Sequence, residues 1–418
     1  MLRRGFATLL SLLAIVGLIR LFAPAVPASV DTRAPGVAAQ LDHLEARLTD
    51  GSAREAQALF PEGEFFAFVL YGLARVDEVA RGGDPAGLAE ARRALDLATA
   101  PAVRERFGAD QSLPYGIFYA GWTNWLRGAL LQQQETPDPA LVAEFGEQAR
   151  AIAAAFDAGS SPYLTSYPGQ AWPCDSVVGI ASLALYRDLA DDRSVTPTID
   201  RWLTATADRL DPATGLLPHR ADPATGQPLE GARATSLTVA LIFLPDVDAG
   251  FAADQYRRFR DTFLATPLGI PAVLEFPRGT SGAGDVDSGP LIGGVSLSAT
   301  VVALGAAQNN GDRALAAELG AVGDLIGLPL DLPGGKRYAF GLMPIGDTFV
   351  AWAKGVRPLV ADRVPAVEPV VGPASRAVWM IGLILLGLVG WLPEFRRRPN
   401  VSGSRPSSLV TTRPGGNR

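Results

Sequence analysis

Four acidic residues carry the strongest chemical signal in this chain: Asp175, Glu275, Asp285 and Asp287. Each lies in or beside a Gly/Pro-punctuated stretch that leads towards an apolar segment. Asp175 belongs to Tyr167-Pro168-Gly169-Gln170-Ala171-Trp172-Pro173-Cys174-Asp175-Ser176, where Asp175 or Ser176 is placed to cap the helix that follows. Glu275 opens Glu275-Phe276-Pro277-Arg278-Gly279, and the other two sit in Gly284-Asp285-Val286-Asp287-Ser288-Gly289-Pro290. A pair of carboxyls in an enclosed site, one with a raised pKa, can work as general acid and base on an oxygen-bearing substrate. The Asp285–Asp287 spacing also permits oxygen ligation of calcium, but the remaining ligands of a calcium loop are missing.

Other groups can assist. His219 stands in a loop beside Arg220 and Asp222, where an imidazole can relay protons. Cys174 lies at a helix start, a position that lowers a thiol pKa, and is a candidate nucleophile. Arg233 and Arg278 are candidates to bind an anionic group or clamp a carboxylate. Tyr115, Trp122, Tyr167 and Trp172 are candidate walls for sugar rings or an isoprenoid chain. Asp285 and Ser288 complete the candidate substrate contacts. The chain contains no glycine-rich phosphate loop, serine-centred elbow or paired-cysteine motif. One cysteine and two histidines leave little from which to build a metal centre, so neither cofactor nor metal is expected.

The elements that must hold these residues form a repeat. Strongly apolar helices are predicted to begin near residues 64, 115, 175, 233, 293 and 345, roughly 50–60 residues apart. Amphipathic helices fall between them, over 85–99, 139–156, 198–210, 253–264 and 313–326, and one near 34–48 supplies the sixth. One buried and one half-buried helix per unit predicts six helical hairpins. No polar capping repeat is evident, so closure into an all-α (α/α)6 toroid is expected, with an open solenoid as the alternative. In the closed form the loops entering the inner helices gather at one end, with helix N-termini presenting unpaired N–H groups.

Both ends of the chain are apolar. Met1-Leu2-Arg3-Arg4, an apolar run to Phe22 and small residues to Ser29 read as a signal peptide or signal anchor over 1–28. The run from Ala377 to Leu392 carries no charge, is flanked by Trp379 and Trp391, and is followed by Arg396-Arg397-Arg398. It reads as the better membrane span, 376–393, with a cytoplasmic disordered tail at 394–418. Positive charge at both ends places a 34–357 toroid and a 358–375 linker on the extracytoplasmic side of the cell membrane. A net charge of -6 argues against a nucleic-acid partner. Oligomeric state is not legible.

The Tyr-Pro-Gly…Trp-Pro-Cys-Asp-Ser run, the Pro218-His219 loop with Asp222 and Thr225-Gly226, and the loop around Asp285 and Asp287 resemble the linalool dehydratase/isomerase-like group of (α/α)6 proteins. More loosely, the chain is similar to the toroidal glycoside hydrolases and polysaccharide lyases. The resemblance implies an acid–base site in the mouth of the ring and hydration, dehydration or glycosidic cleavage as the reaction. Where the dehydratase/isomerase uses an acidic/tyrosine group, a histidine and two cysteines, this chain offers Asp175, Tyr167, His219 and Cys174 alone. The expected function is a membrane-anchored extracytoplasmic enzyme acting on a glycan or other hydroxylated substrate. Asp287 or Asp175 is the expected acid or base, with Glu275 a further candidate. A terpenoid-alcohol dehydratase/isomerase and a non-catalytic glycan- or protein-binding ring are the alternatives.

Overall fold

The computed structural model describes residues 2–29, 31–59, 61–361 and 366–392. The expected tail at 394–418, with its arginine cluster, and part of the expected linker lie outside them. Sixteen α-helices and three two-stranded hairpins make up the regular structure of the described residues. The chain begins with α1 (Leu2–Phe22), α2 (Val37–Thr49), α3 (Ser52–Leu59) and α4 (Gly63–Ala80). It continues with α5 (Gly87–Ala98), the short α6 (Pro101–Arg104), α7 (Gly116–Gln132), α8 (Pro139–Ala158), α9 (Pro173–Leu189) and α10 (Thr196–Ala207). There follow α11 (Ala234–Val247), α12 (Ala249–Phe263), α13 (Leu297–Asn309), α14 (Arg313–Ile326), α15 (Pro344–Gly355) and α16 (Ala377–Val389).

The described chain divides into two compact units, residues 2–18 with 380–392, and Ile19–Trp379. In the smaller unit the two apolar helical stretches run antiparallel at close range. Ser11 Oγ donates to the Gly387 carbonyl at 3.0 Å and the Trp391 indole donates to Ser11 Oγ at 2.9 Å. Gly390 permits this approach, because a Cβ there would stand 2.7 Å from Ala7 Cα. The ranking of the two ends is corrected by the helix lengths. Among the described residues Arg4–Phe22 is the helix long and apolar enough to cross a membrane, with mean hydropathy 2.1. The C-terminal Ala374–Val389 belongs with the shorter apolar helices.

In the larger unit α4, α7, α9, α11, α13 and α15 are buried on most of their faces. They pack in sequence: α4 on α7, α7 on α9, α9 on α11, α11 on α13, α13 on α15, and α15 back on α4. The amphipathic α5, α8, α10, α12 and α14 pack against these helices, and α2 lies against α15 and α4. Side chains from four of the buried helices meet around Trp122. Its ring lies 5.3 Å from Phe66, 5.1 Å from Phe243 and 5.6 Å from Trp352, edge-on in each case.

The far ends of these helices are tied together by the segment after α15. Asp246, in the last turn of α11, accepts from the backbone N–H groups of Leu359, Val360 and Ala361 at 2.8–3.1 Å. Arg357 pairs with Asp77 of α4 at 3.3 Å, and Gln132 of α7 donates to the Leu359 carbonyl at 2.8 Å.

Five of the six predicted starts fall within two residues of the observed ones. The fifth helix begins at Leu297 instead of near Gly293. Gly293 and Gly294, with φ 59° and 83°, instead make a turn that pairs Ile292 with Val295, a backbone that glycine alone adopts without strain. Truncating a side chain of the aromatic cluster, Phe243→Ala, is expected to cost about 3–5 kcal/mol. Denaturant unfolding of the full chain in detergent, followed by tryptophan emission, measures this.

Candidate active site

The loops that enter the buried helices are joined edge to edge by backbone hydrogen bonds. Ile117 N–H donates to Thr165 O, Ala221 N–H to Ala171 O, Ala234 N–H to Glu275 O and Glu275 N–H to Gly294 O, at 2.9–3.0 Å. Residues far apart in sequence are thereby gathered over one end of the helices.

Asp175 does not cap its helix. The N-cap position belongs to Trp172, Pro173 fills the first helical position, and Asp175 stands in the first turn. Ser176 instead accepts the Leu164 N–H at 3.1 Å. The Asp175 carboxyl is therefore left for other work. It is 6 % exposed, and Cys174 Sγ lies 3.7 Å from its Oδ1. Ser166 takes the Trp172 N–H at 3.2 Å and hydrogen-bonds Asp175. Burial pushes the Asp175 carboxyl up to about 7, and the charges of Glu62 and Asp287 push the same way. The same surroundings push the Cys174 thiol well above its ordinary range. The expected lowering of that pKa at the helix start is thus reversed: Cys174 is a buried thiol that supports Asp175, not a poised thiolate.

Glu62, which the sequence reading omits, belongs to this cluster. It precedes α4, is half-buried, and hydrogen-bonds the Tyr167 hydroxyl; burial raises its pKa. Tyr167 packs edge-on against Trp172 at 5.4 Å and stacks on Phe118 at 5.7 Å. Burial and the Glu62 and Asp175 charges keep its hydroxyl protonated. Asp287 closes the group from the outer side. Its surface is open to solvent, yet the chain around it displaces much of its water, and Glu62, Asp285 and Glu275 add repulsion. Together these outweigh the opposing charge of Arg233, and its carboxyl rises to about 6.

A second group is built on Arg233. Its Nε donates to Glu275 at 2.8 Å, and its Nη1 lies 2.6 Å from Asp285 and 3.5 Å from His219 Nε2. The guanidinium stands 5.1 Å over the Phe276 ring, and Nη2 is buried without a partner. Glu275 is fully buried; one oxygen meets Arg233 and the other takes the Thr235 hydroxyl, so both are occupied. Its place is that of an anchor for Arg233, not of an acid or base. Asp285 is likewise committed, with Oδ2 on Arg233 and Oδ1 accepting from the Asp287 and Ser288 N–H groups. Ser288 in turn receives the Asp285 N–H at 2.9 Å and shapes the loop.

His219 is 6 % exposed and lies 2.9 Å from Ser236 Oγ through Nδ1. A guanidinium has no acceptor, so Nε2 faces Arg233 as the acceptor and Nδ1 carries the hydrogen. Burial and Arg233 lower the His219 pKa to about 4, which keeps the ring neutral. It orients Arg233 and does not shuttle protons at neutral pH.

The remaining candidates lie elsewhere. Trp122 is 1 % exposed inside the aromatic core and walls no site. Arg278 is exposed and donates to the Leu264 carbonyl instead of clamping a carboxylate. Tyr115 is half-buried, with Arg104 stacked 5.0 Å from its ring centre and a backbone φ of 68°. A cavity of about 340 Å³ lies among Ala23–Ser29, Arg81, Arg357 and Arg376, and none of the candidate acids lines it. No group of three or more His, Cys, Asp or Glu among the described residues is arranged to hold a metal. In comparisons with known proteins, no family model and no curated sequence matches the chain.

Protonation in the site has a consequence for stability. Asp175 titrates near 7 in the folded chain against 3.8 ordinarily, so the folded state binds more protons between those values. Its contribution is present below pH ~4 and is lost as pH rises through about 7. His219, depressed from 6.5 to about 4, acts oppositely, but the raised Asp77, Asp246, Asp287 and Asp347 side with Asp175. The midpoint of thermal unfolding is therefore expected to be higher at pH 5 than at pH 7.5. Differential scanning fluorimetry of wild type and Asp175→Asn should show a shallower decline in the variant.

Proposed function

We propose that the chain is a membrane-anchored enzyme that breaks a carbon–oxygen bond of a hydroxylated substrate by acid–base catalysis. One observation carries the reading. Arg233 pairs with Glu275 and Asp285, which leaves Glu62, Asp175 and Asp287 clustered with no cation of their own, and the carboxyl pKa of each is raised, to about 7 for Asp175 and about 6 for Asp287. An acid that titrates near 7 beside a base that titrates near 6 is matched to proton transfer at physiological pH.

In this reading Asp175 gives its proton to the departing oxygen as the carbon–oxygen bond breaks, and water or an alcohol leaves. The electron-poor carbon forms in a field of surplus negative charge, which stabilises it. The Asp287 carboxylate then takes a proton, either from the neighbouring carbon in an elimination or from water that adds in a hydrolysis. Tyr167 holds Glu62, Cys174 and Ser166 hold Asp175, and Trp172 stands at the wall.

The wider reading follows the helix packing. The return of α15 to α4 supports a closed (α/α)6 toroid, with the acids over its mouth. That architecture and the cluster of acid, tyrosine, histidine and cysteine support kinship with the linalool dehydratase/isomerase-like group. The apolar termini support anchorage, with Ala377–Leu392 as a second span and the toroid on the extracytoplasmic side.

Asp175→Asn and Asp287→Asn are each expected to lower turnover about 10²–10⁴-fold. Membranes bearing the full chain are to be incubated with prenyl alcohols and with glycans, and the products read by mass spectrometry. Rate against pH should be bell-shaped with its maximum between about 6 and 7, and Asp175→Asn should lose the alkaline limb. Full turnover by Asp287→Asn would falsify the assignment.

A further inference from the structure

The large apolar side chains left in water by the Ile19–Trp379 unit are concentrated on two loops, those leading into α13 and α15. Leu268 is 75 % exposed, Val286 54 %, Ile292 66 %, Phe340 60 %, Leu342 82 % and Met343 52 %. Three residues on these loops or their edges, Leu268, Leu328 and Phe340, hold backbone φ of 51°, 46° and 62°. The neighbouring loops before α7 and α9 instead expose Asp110, Ser112 and Gln170. The end of the body that carries the acid cluster thus has one apolar side and one polar side. Apolar side chains exposed in such a group mark a surface with a partner.

The same unit identifies that partner by where the chain enters and leaves it. The Trp379 indole, at the head of the C-terminal apolar run, donates to the Leu268 carbonyl at 3.1 Å. Gly269, with φ 84°, lets Val378 come close; a Cβ there would lie 3.4 Å from it. Arg20, at the end of the N-terminal apolar helix, donates to the Pro329 carbonyl at 2.6 Å, next to Leu328. Tryptophan and arginine at the ends of apolar runs sit at the level of lipid headgroups. Both apolar loops are therefore fastened at that level, by contacts from opposite ends of the chain.

We propose that this apolar rim is embedded in the outer part of the lipid bilayer, so that the acid cluster opens towards lipid. This rests on the membrane-anchored reading above and narrows its substrate to an apolar hydroxylated molecule dissolved in the bilayer. Val286 lies between Asp285 and Asp287, so rim and acids share one loop. A bilayer-dissolved substrate reaches Asp287 without crossing water. The loops display acidic Asp285, Asp287 and Asp331 along with Arg278 and Arg337, so attraction to anionic lipid is not what seats them.

The test uses the full chain reconstituted in phosphatidylcholine vesicles. Leu342→Cys and Ile292→Cys on the rim, and Val142→Cys on α8 as a distant control, are labelled with an environment-sensitive fluorophore. All three positions are exposed, so the fold tolerates them, and the wild type with its buried Cys174 is the blank. Emission from both rim positions is expected to shift to the blue and to be quenched by lipids spin-labelled on their acyl chains. The control should do neither. Vesicle flotation separates the two readings. Protein that floats with the vesicles but shows no rim quenching keeps its anchor and overturns the embedded rim, and so does a blue shift without quenching, which means that protein covers the rim. Protein that does not float overturns the anchor and the rim together.

Discussion

The candidate site depends on a shortage of positive charge. Five carboxyls gather over one end of the buried helices, and one guanidinium, Arg233, is placed to answer them. It is held by Glu275 and Asp285, oriented by His219 and covered on one face by Phe276. Removing a charge from water is costly unless a partner compensates it. Two carboxyls have that partner. The other three have raised pKa values, and a charge on any one of them makes ionisation of its neighbours harder. The perturbed chemistry of Asp175 is thus a property of the whole cluster.

The fold supplies the precision this needs. Asp175 sits in the first turn of a helix begun by Pro173, and its neighbours Ser166 and Cys174 leave it little freedom. The loop of Asp285 and Asp287 is fixed by its own turn, in which Asp285 and Ser288 bond each other's backbone. Beneath, the aromatic cluster around Trp122 makes the buried helices a rigid platform. Loops on such a platform hold a reacting geometry that free loops cannot.

Much of this was legible in the residues because an all-round apolar helix has a distinctive pattern. The helix starts were read from it, and so was the gathering of Asp175, His219, Arg233, Glu275 and Asp287 on entering loops. What was not legible was partnership. Glu275 and Arg233 are 42 positions apart, and nothing local says that one neutralises the other. Glu62 carries no local signal, because its loop is short and the apolar pattern begins two residues later, at Glu64. The repeat itself held the signal, since Glu62 ends the loop entering the first apolar helix. Trp122 is core and not pocket wall, a difference its position does not show, because an aromatic near a helix start looks the same whether it faces a ligand or the core. Cys174 shows the limit of position-based pKa arguments: burial and a carboxyl neighbour outweigh a helix N-terminus.

The way the helices meet also fixes when the protein can finish folding. α4, among the first residues made, has α15 as one neighbour, and α11 and α7 are joined by residues 357–361. α4 and α15 begin about 280 residues apart, a separation that slows folding. Until the last helix arrives, one flank of α4 and one of α13 stay uncovered and sticky. Those flanks must be kept apart from other chains for most of the chain's synthesis. The final residues of the body thus act as a latch, since a chain cut just before Pro344 would lack the helix that covers α4 and α13.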